Sequence, residues 1–267
     1  MTSIVDTHCH LDLDAFDSDR DTVIERSLRA QVHAMVLIGY NPDRWRTTRV
    51  LCERHAFMCR SIGMHPNDAT SWSTSLEQSL IVELERSEPV AIGEIGLDFF
   101  RSADNALEQC EVFERQLDMA IRLDLPVIIH QRSAEDQVLE ILKGKRPPRG
   151  VMHCFTGDTV YANKCLELGL HLGIGGVSTF PRSDDIRLAI ASAPMDRLLL
   201  ETDAPFLAPQ SHRGQRNESS YLPEVVDTIA NLHNINAESV RLQTTQNAID
   251  LFGTQIAAAV RSGMEHS

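Results

Sequence analysis

The chain has 267 residues, 42% hydrophobic and 24% charged, with a formal net charge of −13, a composition that excludes intrinsic disorder. Its acidity disfavours non-specific binding along duplex DNA, where a basic face supplies most of the affinity; a local grip on a nucleic-acid end, through metals and a few arginines, stays open. No apolar run approaches the roughly 20 residues of a bilayer span, and Met1-Thr-Ser-Ile-Val-Asp6 has neither a basic start nor an apolar signal region, so a cytoplasmic protein without membrane contact is expected.

From the N-terminus onward a short β-branched or apolar run, followed by a longer amphipathic stretch, recurs without any sequence repeat or linker. The strand candidates are Ile4–His8, Met35–Gly39, Cys59–Met64, Val90–Ile95, Val127–His130, Val151–Cys154, His171–Val177 and Leu198–Thr202. Between the fourth and fifth, Leu107, Cys110, Phe113, Leu117, Ala120 and Ile121 recur at helical spacing, with Glu108, Glu111, Arg115, Asp118 and Arg122 opposite. Ser133 and Asp136 have capping-box spacing for the next helix, and Gly169 is placed to end the helix after strand six. Eight strand–helix units predict an α/β fold with a parallel sheet, closed into a (β/α)8 TIM-type barrel over a single domain, residues 1–267. An open doubly wound sheet would satisfy the same pattern. The polar residues favour the barrel, because each notable one falls at the trailing end of a strand, where a barrel gathers its active site.

In Asp6-Thr-His8-Cys-His10 the two-residue strand period puts both imidazoles on one face, half of a zinc or manganese site. Glu94 is a carboxylate inside the apolar run Ala91–Leu97. Burying it is costly unless it is paired or metal-bound, and its two oxygens suit it to bridge two cations. His130 and His153, on adjacent strands, read as ligands of a second cation. Asp203, after three leucines, reads as a ligand that also accepts a proton from attacking water, although such an acid can instead cap a helix. Glu201 shares its face and suits a supporting role. His65, in Gly63-Met-His-Pro66, touches substrate or a transient third metal, or orders its loop. His33, His55, His171, His233 and His266 have no supporting partner. Arg132, His212, Arg213 and Arg216 are candidate phosphate contacts, with a solvated surface charge as the bland alternative for each. The six cysteines, Cys9, Cys52, Cys59, Cys110, Cys154 and Cys165, follow no disulfide framework and read as reduced thiols.

Together these stretches resemble the TatD-type deoxyribonucleases, a family of metal-dependent hydrolases. The matching segments are Asp6–Asp12, Gly63–Pro66, Gly93–Asp98, Leu125–His130, His153–Gly157 and Leu200–Pro205, with a looser match in His212-Arg-Gly and Arg216-Asn-Glu218. They cover nearly the whole chain in family order. The resemblance implies two divalent metal ions per chain (zinc, manganese or magnesium), one held by His8, His10, Glu94 and Asp203 and the other by Glu94, His130 and His153. It further implies hydrolysis of DNA phosphodiester bonds, typically as a 3′-to-5′ exonuclease preferring single strands, with His65 near substrate and DNA ends or another phosphodiester as partner. A monomer suffices for such a site. Three features depart from the family pattern: Asn67 where many relatives have a second histidine, Phe99-Phe100 where many have tyrosine, and Ser219 in place of a proline.

Two other readings fit part of this pattern. One is an amidohydrolase-superfamily enzyme acting on a C–N or ester bond, whose dinuclear members often bridge their metals with a carbamylated lysine. Here the lysines are Lys143, Lys145 and Lys164, none at a strand end. The other is a non-enzymatic metal-bearing scaffold, which would not need the intact ligand set.

Overall fold

A computed structural model describes residues 2–101, 103–147 and 149–266. Strands and helices alternate as β1 (Ile4–Cys9), α1 (Arg20–Arg29), β2 (Val32–Gly39), α2 (Pro42–Arg54), β3 (Met58–Ile62), α3 (Thr74–Ser87), β4 (Ala91–Asp98) and α4 (Ala106–Leu123). They continue as β5 (Val127–Arg132), α5 (Glu135–Lys145), β6 (Gly150–Met152), α6 (Thr159–Glu167), β7 (His171–Ile174), α7 (Asp184–Ser192) and β8 (Leu198–Leu200). Three further helices follow: α8 (Leu222–His233), α9 (Ala237–Phe252) and α10 (Thr254–Glu265). The eight strands are parallel and paired in sequence order. Beyond β8 the chain closes on β1, where the Asp203 amide donates to the His8 carbonyl at 2.9 Å and the His10 amide to the Ala204 carbonyl at 2.8 Å. The barrel, not the open sheet, is the outcome.

Strands covered on both faces read as nearly unbroken apolar runs, and all eight residues of β2 are buried. Side-chain caps start several of the helices. Asn41 accepts from the Arg44 amide, with Pro42 opening α2, Asp158 accepts from the Tyr161 amide at α6, and Asn236 accepts from the Ser239 amide at α9. α9 and α10 seal the N-terminal end of the barrel. The Asn247 amide donates to the Met195 and Leu198 carbonyls, and Thr245 to the Ser3 carbonyl. Their apolar faces, including Leu251, Phe252, Ile256 and Val260, pack with Val5, Val36, Ile128 and Leu199 of the strands. That leaves the C-terminal mouth as the end where polar side chains converge.

Several expectations are corrected. β6 and β8 are short, so His153 directly follows its strand rather than lying within it, and Asp203 lies beyond β8 rather than directly after it. The buried face of α4 is Gln109, Val112, Phe113, Gln116, Leu117, Met119 and Ala120, while Leu107 is 84% exposed and Ile121 faces solvent too. The two glutamines belong inside because they satisfy loop backbone at the mouth. Gln116 accepts from the Met64 amide and donates to its carbonyl, and Gln109 does the same for Asp98. Ser133 does not cap α5: it has φ of 57°, and Ala134 stands at the cap without a side-chain bond. Gly169 does end α6, at φ of 79°, with its amide donating to the Leu166 carbonyl.

One ion pair ties α1 to the segment after the barrel's last strand. Arg26 donates to both oxygens of the buried Glu218, at 2.8 and 2.5 Å. Burial alone would raise the Glu218 carboxyl, but the Arg26 hydrogen bonds outweigh it and hold it below its ordinary 4.5. A depressed carboxylate stabilises the fold above its unfolded value and loses that contribution as pH falls through its folded value. Arg26→Ala is therefore expected to cost about 1–2 kcal/mol at neutral pH, discounted because Arg26 is partly exposed. Denaturant titrations should show this gap closing as pH drops below 4.5; a gap independent of pH would mean Arg26 acts through packing.

Candidate metal centre

Glu94 is 4% exposed at the middle of the mouth, and its two oxygens face different partners. Oε2 lies 3.5 Å from His8 Nε2. Oε1 lies 2.6 Å from His130 Nδ1 and 3.5 Å from both His153 Nε2 and His65 Nε2. On the Oε2 side, Asp203 Oδ1 stands 3.2 Å from His10 Nε2 and 3.7 Å from His8 Nε2. Five stretches of β-strand or strand end thus bring His8, His10, Glu94, His130, His153 and Asp203 into one cluster, and His65 joins it from the loop after β3.

Local structure explains how each is held. Asp6, fully buried, accepts from the Thr202 amide at 3.0 Å and from the Thr202 and Ser219 hydroxyls at 2.7 Å. This seam welds β1 to the end of β8 and sets His8 against Asp203. Burial pushes the Asp6 carboxyl up to about 6, although those hydrogen bonds oppose it. Gly96 has φ of 143°, and a Cβ there would meet the His130 carbonyl at 2.0 Å, so only glycine lets β4 and β5 approach at the height of the site. Gly173 of β7 likewise leaves room for Glu201, whose carboxylate a Cβ would strike at 2.2 Å. Glu201 accepts from the Cys154 amide at 2.5 Å and lies 3.0 Å from His153 Nδ1. That contact turns the other ring nitrogen of His153 toward Glu94. His65 Nδ1 accepts from the Asn67 amide at 3.0 Å, which places the ring proton on Nε2, facing Glu94.

Protonation is uneven across the cluster. Burial and then the neighbouring His153 lower His8. Burial also opposes charge on His153, yet Glu201 and Glu94 on either side push it up to about 10. His130 is raised in spite of burial by its hydrogen bonds to Asp98 and Glu94. Burial works against ionised Glu94, but the imidazoles of His65 and His153 and the His130 hydrogen bond hold it well below the ordinary range. Asp98, 3.3 Å from His130 Nε2, stays near 2 despite burial because His130 and the Arg101 amide bond it.

The donor set fits divalent cations. Both ring nitrogens of His8, which is wholly buried, and Nδ1 of His10 lack hydrogen-bond partners among the described residues. Buried polar atoms are nearly always satisfied, and each orphan costs about 1–3 kcal/mol. Imidazole nitrogens beside carboxylates, with donor atoms within 4.8 Å of one another in His8–His10–Glu94 and His65–Glu94–His130, match the ligands of zinc-like ions.

Each candidate phosphate contact has an aromatic ring or an acid beside it. Arg132 lies at the end of β5 with its guanidinium 3.8 Å from the centre of the Phe100 ring. Arg216 is engaged by Asp19 through two hydrogen bonds of 2.8 Å and by the Ala15 carbonyl. His212 stacks on Tyr221 and pairs with Glu224 at 2.9 Å, and Arg213 lies over Phe180. Among the described residues none of these last three pairs with an acid of the cluster. Asp98 was missed as a site residue. Its signal was available, since Glu94 and Asp98 are an even number of residues apart in one strand.

A parallel barrel whose C-terminal mouth gathers four histidines around shared carboxylates defines a metal-dependent hydrolase. The model of the TatD-related DNases matches residues 5–253, and the chain belongs to that family. It is 40% identical over 254 residues to the metal-dependent hydrolase YabD of Bacillus subtilis, covering 93% of this chain and 98% of that one. It is 36% identical to the 3′-5′ ssDNA/RNA exonuclease TatD of Klebsiella pneumoniae, over 90% and 94% of the two chains. The crystal structure of YjjV, a TatD homologue from Escherichia coli K12, superposes with a TM-score of 0.88 at 32% identity, over 93% and 97% of the chains. The lysine-bridged amidohydrolase reading is not favoured, because Lys143 and Lys145 lie on α5 and Lys164 on α6, outside the barrel.

Replacing Glu201 by glutamine keeps the side chain's shape and removes the charge beside His153. Affinity for zinc or manganese, measured by competition with a chelator, should fall by about 10- to 100-fold. Unchanged affinity would mean that packing alone orients His153.

Proposed function

We propose that this hydrolase removes nucleotides from the 3′ ends of single-stranded nucleic acid, DNA in the first instance, using two divalent cations. His8, His10, Glu94 and Asp203 would hold one, and Glu94, His130 and His153 the other. The observation that carries this reading is the division of Glu94, one oxygen toward His8 and the other toward His130 and His153. The relatives named as 3′-5′ ssDNA/RNA exonucleases support the substrate class.

Zinc, manganese or magnesium ions bound there would lower the pKa of an attacking water and neutralise charge developing on the phosphodiester. The protein's own groups do the rest. Asp203, depressed by its histidine neighbours against the effect of burial, is ionised and accepts the proton released at the attacking oxygen. His65 offers its Nε2–H to a phosphate oxygen, and Arg132 adds a positive charge at the same rim. Arg216, His212 and Arg213 steady the loop after β8 rather than hold phosphate. Residues 1–267 act as one domain, and a monomer contains the full site. The six unpaired thiols support a reducing, cytoplasmic setting; no helix among the described residues is long and apolar enough to cross a membrane.

Glu94→Ala should lower hydrolysis of a labelled single-stranded oligonucleotide by on the order of 10³-fold or more and reduce bound metal, while circular dichroism stays that of the folded barrel. Chelation should likewise abolish hydrolysis without loss of secondary structure, because apolar strands supply the stability. Activity unchanged in Glu94→Ala overturns the mechanism; amide or lactone turnover in place of nucleotide release overturns the substrate class.

A further inference from the structure

Of the nine phenylalanines in the chain, two among the described residues are more than half exposed: Phe100 at 64% and Phe206 at 52%. Single exposed apolar side chains are ordinary on a protein surface, and Val82, Leu107, Val160, Leu188 and Leu242 are of that kind, scattered over outer helices. The two phenylalanines are placed otherwise. Phe100 follows Asp98 at the end of β4, and Phe206 follows Asp203 beyond β8, so each ring stands two or three residues from an acid of the cluster.

Both are also held. The Phe206 amide donates to the Asp203 carbonyl at 2.8 Å, and the buried Asn217 side chain donates to the Phe206 and Thr202 carbonyls, each at 2.8 Å. Its ring meets the His10 ring edge-on, 6.0 Å between centres. The amide of Phe99 donates to the Arg132 carbonyl at 2.9 Å, and the Arg132 guanidinium lies on the Phe100 ring. A clamped backbone under a solvent-facing ring is wasteful for packing and suited to stacking. In the strand order β1 to β8, the β8–β1 seam and the β4–β5 pair lie across the barrel from each other, with Glu94 reaching both sides of the cluster between them.

We propose that Phe206 and Phe100 are base-stacking platforms on opposite sides of the mouth, each taking one unpaired base of a strand whose backbone crosses the metal centre. The proposal rests on the nucleic-acid reading above and deepens it, because it derives single-strand preference from the protein. Every base has a π-face, so stacking tolerates any sequence, whereas a paired base must first leave its own stack. It also accounts for how a chain of net charge −13 holds a polyanion without a basic groove: stacking replaces much of the phosphate attraction.

The test uses the metal-loaded protein and a single-stranded oligonucleotide with cleavage-resistant phosphorothioate linkages at its 3′ end. It carries 2-aminopurine at the terminal, second or third position, because this base loses fluorescence when stacked. The wild type should quench at two positions. Phe206→Ala and Phe100→Ala should each abolish quenching at one of them and weaken binding about tenfold, and Phe→Tyr at either site should restore both. An abasic residue at the affected position should weaken wild-type binding to the same extent and leave the matching alanine variant indifferent. Quenching and affinity untouched by either alanine overturn the proposal. So does an equal loss for intact and abasic strands, which would indicate a packing role. Cleavage of an unmodified strand without phenylalanine-dependent quenching defeats the platforms and spares the nuclease; quenching without cleavage does the reverse. Failure to bind the strand at all defeats both.

Discussion

A buried carboxylate in the middle of a barrel mouth is the constraint on which the rest of the molecule depends. Isolated in an apolar interior, an ionised Glu94 would be untenable, and breaking a buried pair typically costs several kcal/mol. Here histidines surround it, with His130 within 2.6 Å of one oxygen and His8 facing the other. Four histidines from β1, β3, β5 and β6 or their ends must therefore meet one side chain from β4. Only closure of the sheet brings β1 and β6 near β4 at one height.

Much of the surrounding polar structure is there to make that meeting exact in position. Asp6 joins β1 to the segment after β8 through Thr202 and Ser219. Gln109 and Gln116 tie the backbone after β4 and β3 to α4. Glu201 orients His153, and Asp98 backs His130. Each of these is a buried polar group satisfied by backbone or by a site residue, which is the condition for retaining it. Both ring nitrogens of the buried His8 are exceptions, and its Nε2, facing Glu94 and Asp203, is an atom a cation would use.

The electrostatics separate two tasks. The centre is rich in acid, which favours cations but repels a phosphodiester backbone in their absence. The chain as a whole is acidic as well, and Arg216, one of the candidate phosphate contacts, is engaged by Asp19. On the proposed reading, attraction for substrate is local: it would come from charge bound at the centre, from His65 and Arg132 at the rim, and from the exposed rings beside it. This arrangement favours an end or an unpaired stretch over the continuous groove contact used on duplexes.

The amino-acid sequence alone determined the alternation of strands and helices, because apolar runs and 3.6-residue periodicity reflect local geometry. It also singled out six residues that the fold gathers into one cluster, because polar side chains at the ends of apolar strands have few other reasons to be there. What it could not supply were relations between residues far apart. Gln109 and Gln116 look like surface positions on α4 until the backbone of Met64 and Asp98 is seen beneath them, and Leu107 looks like core until the helix is docked with that face outward. Ser133 has the spacing of a cap but not its backbone conformation. The pairing of Arg216 with Asp19, nearly two hundred residues away, is likewise invisible in the sequence. Burial, pairing and the direction of each Glu94 oxygen are set by closure of the barrel, since it alone decides which distant groups share a dielectric environment and lie within reach of a hydrogen bond.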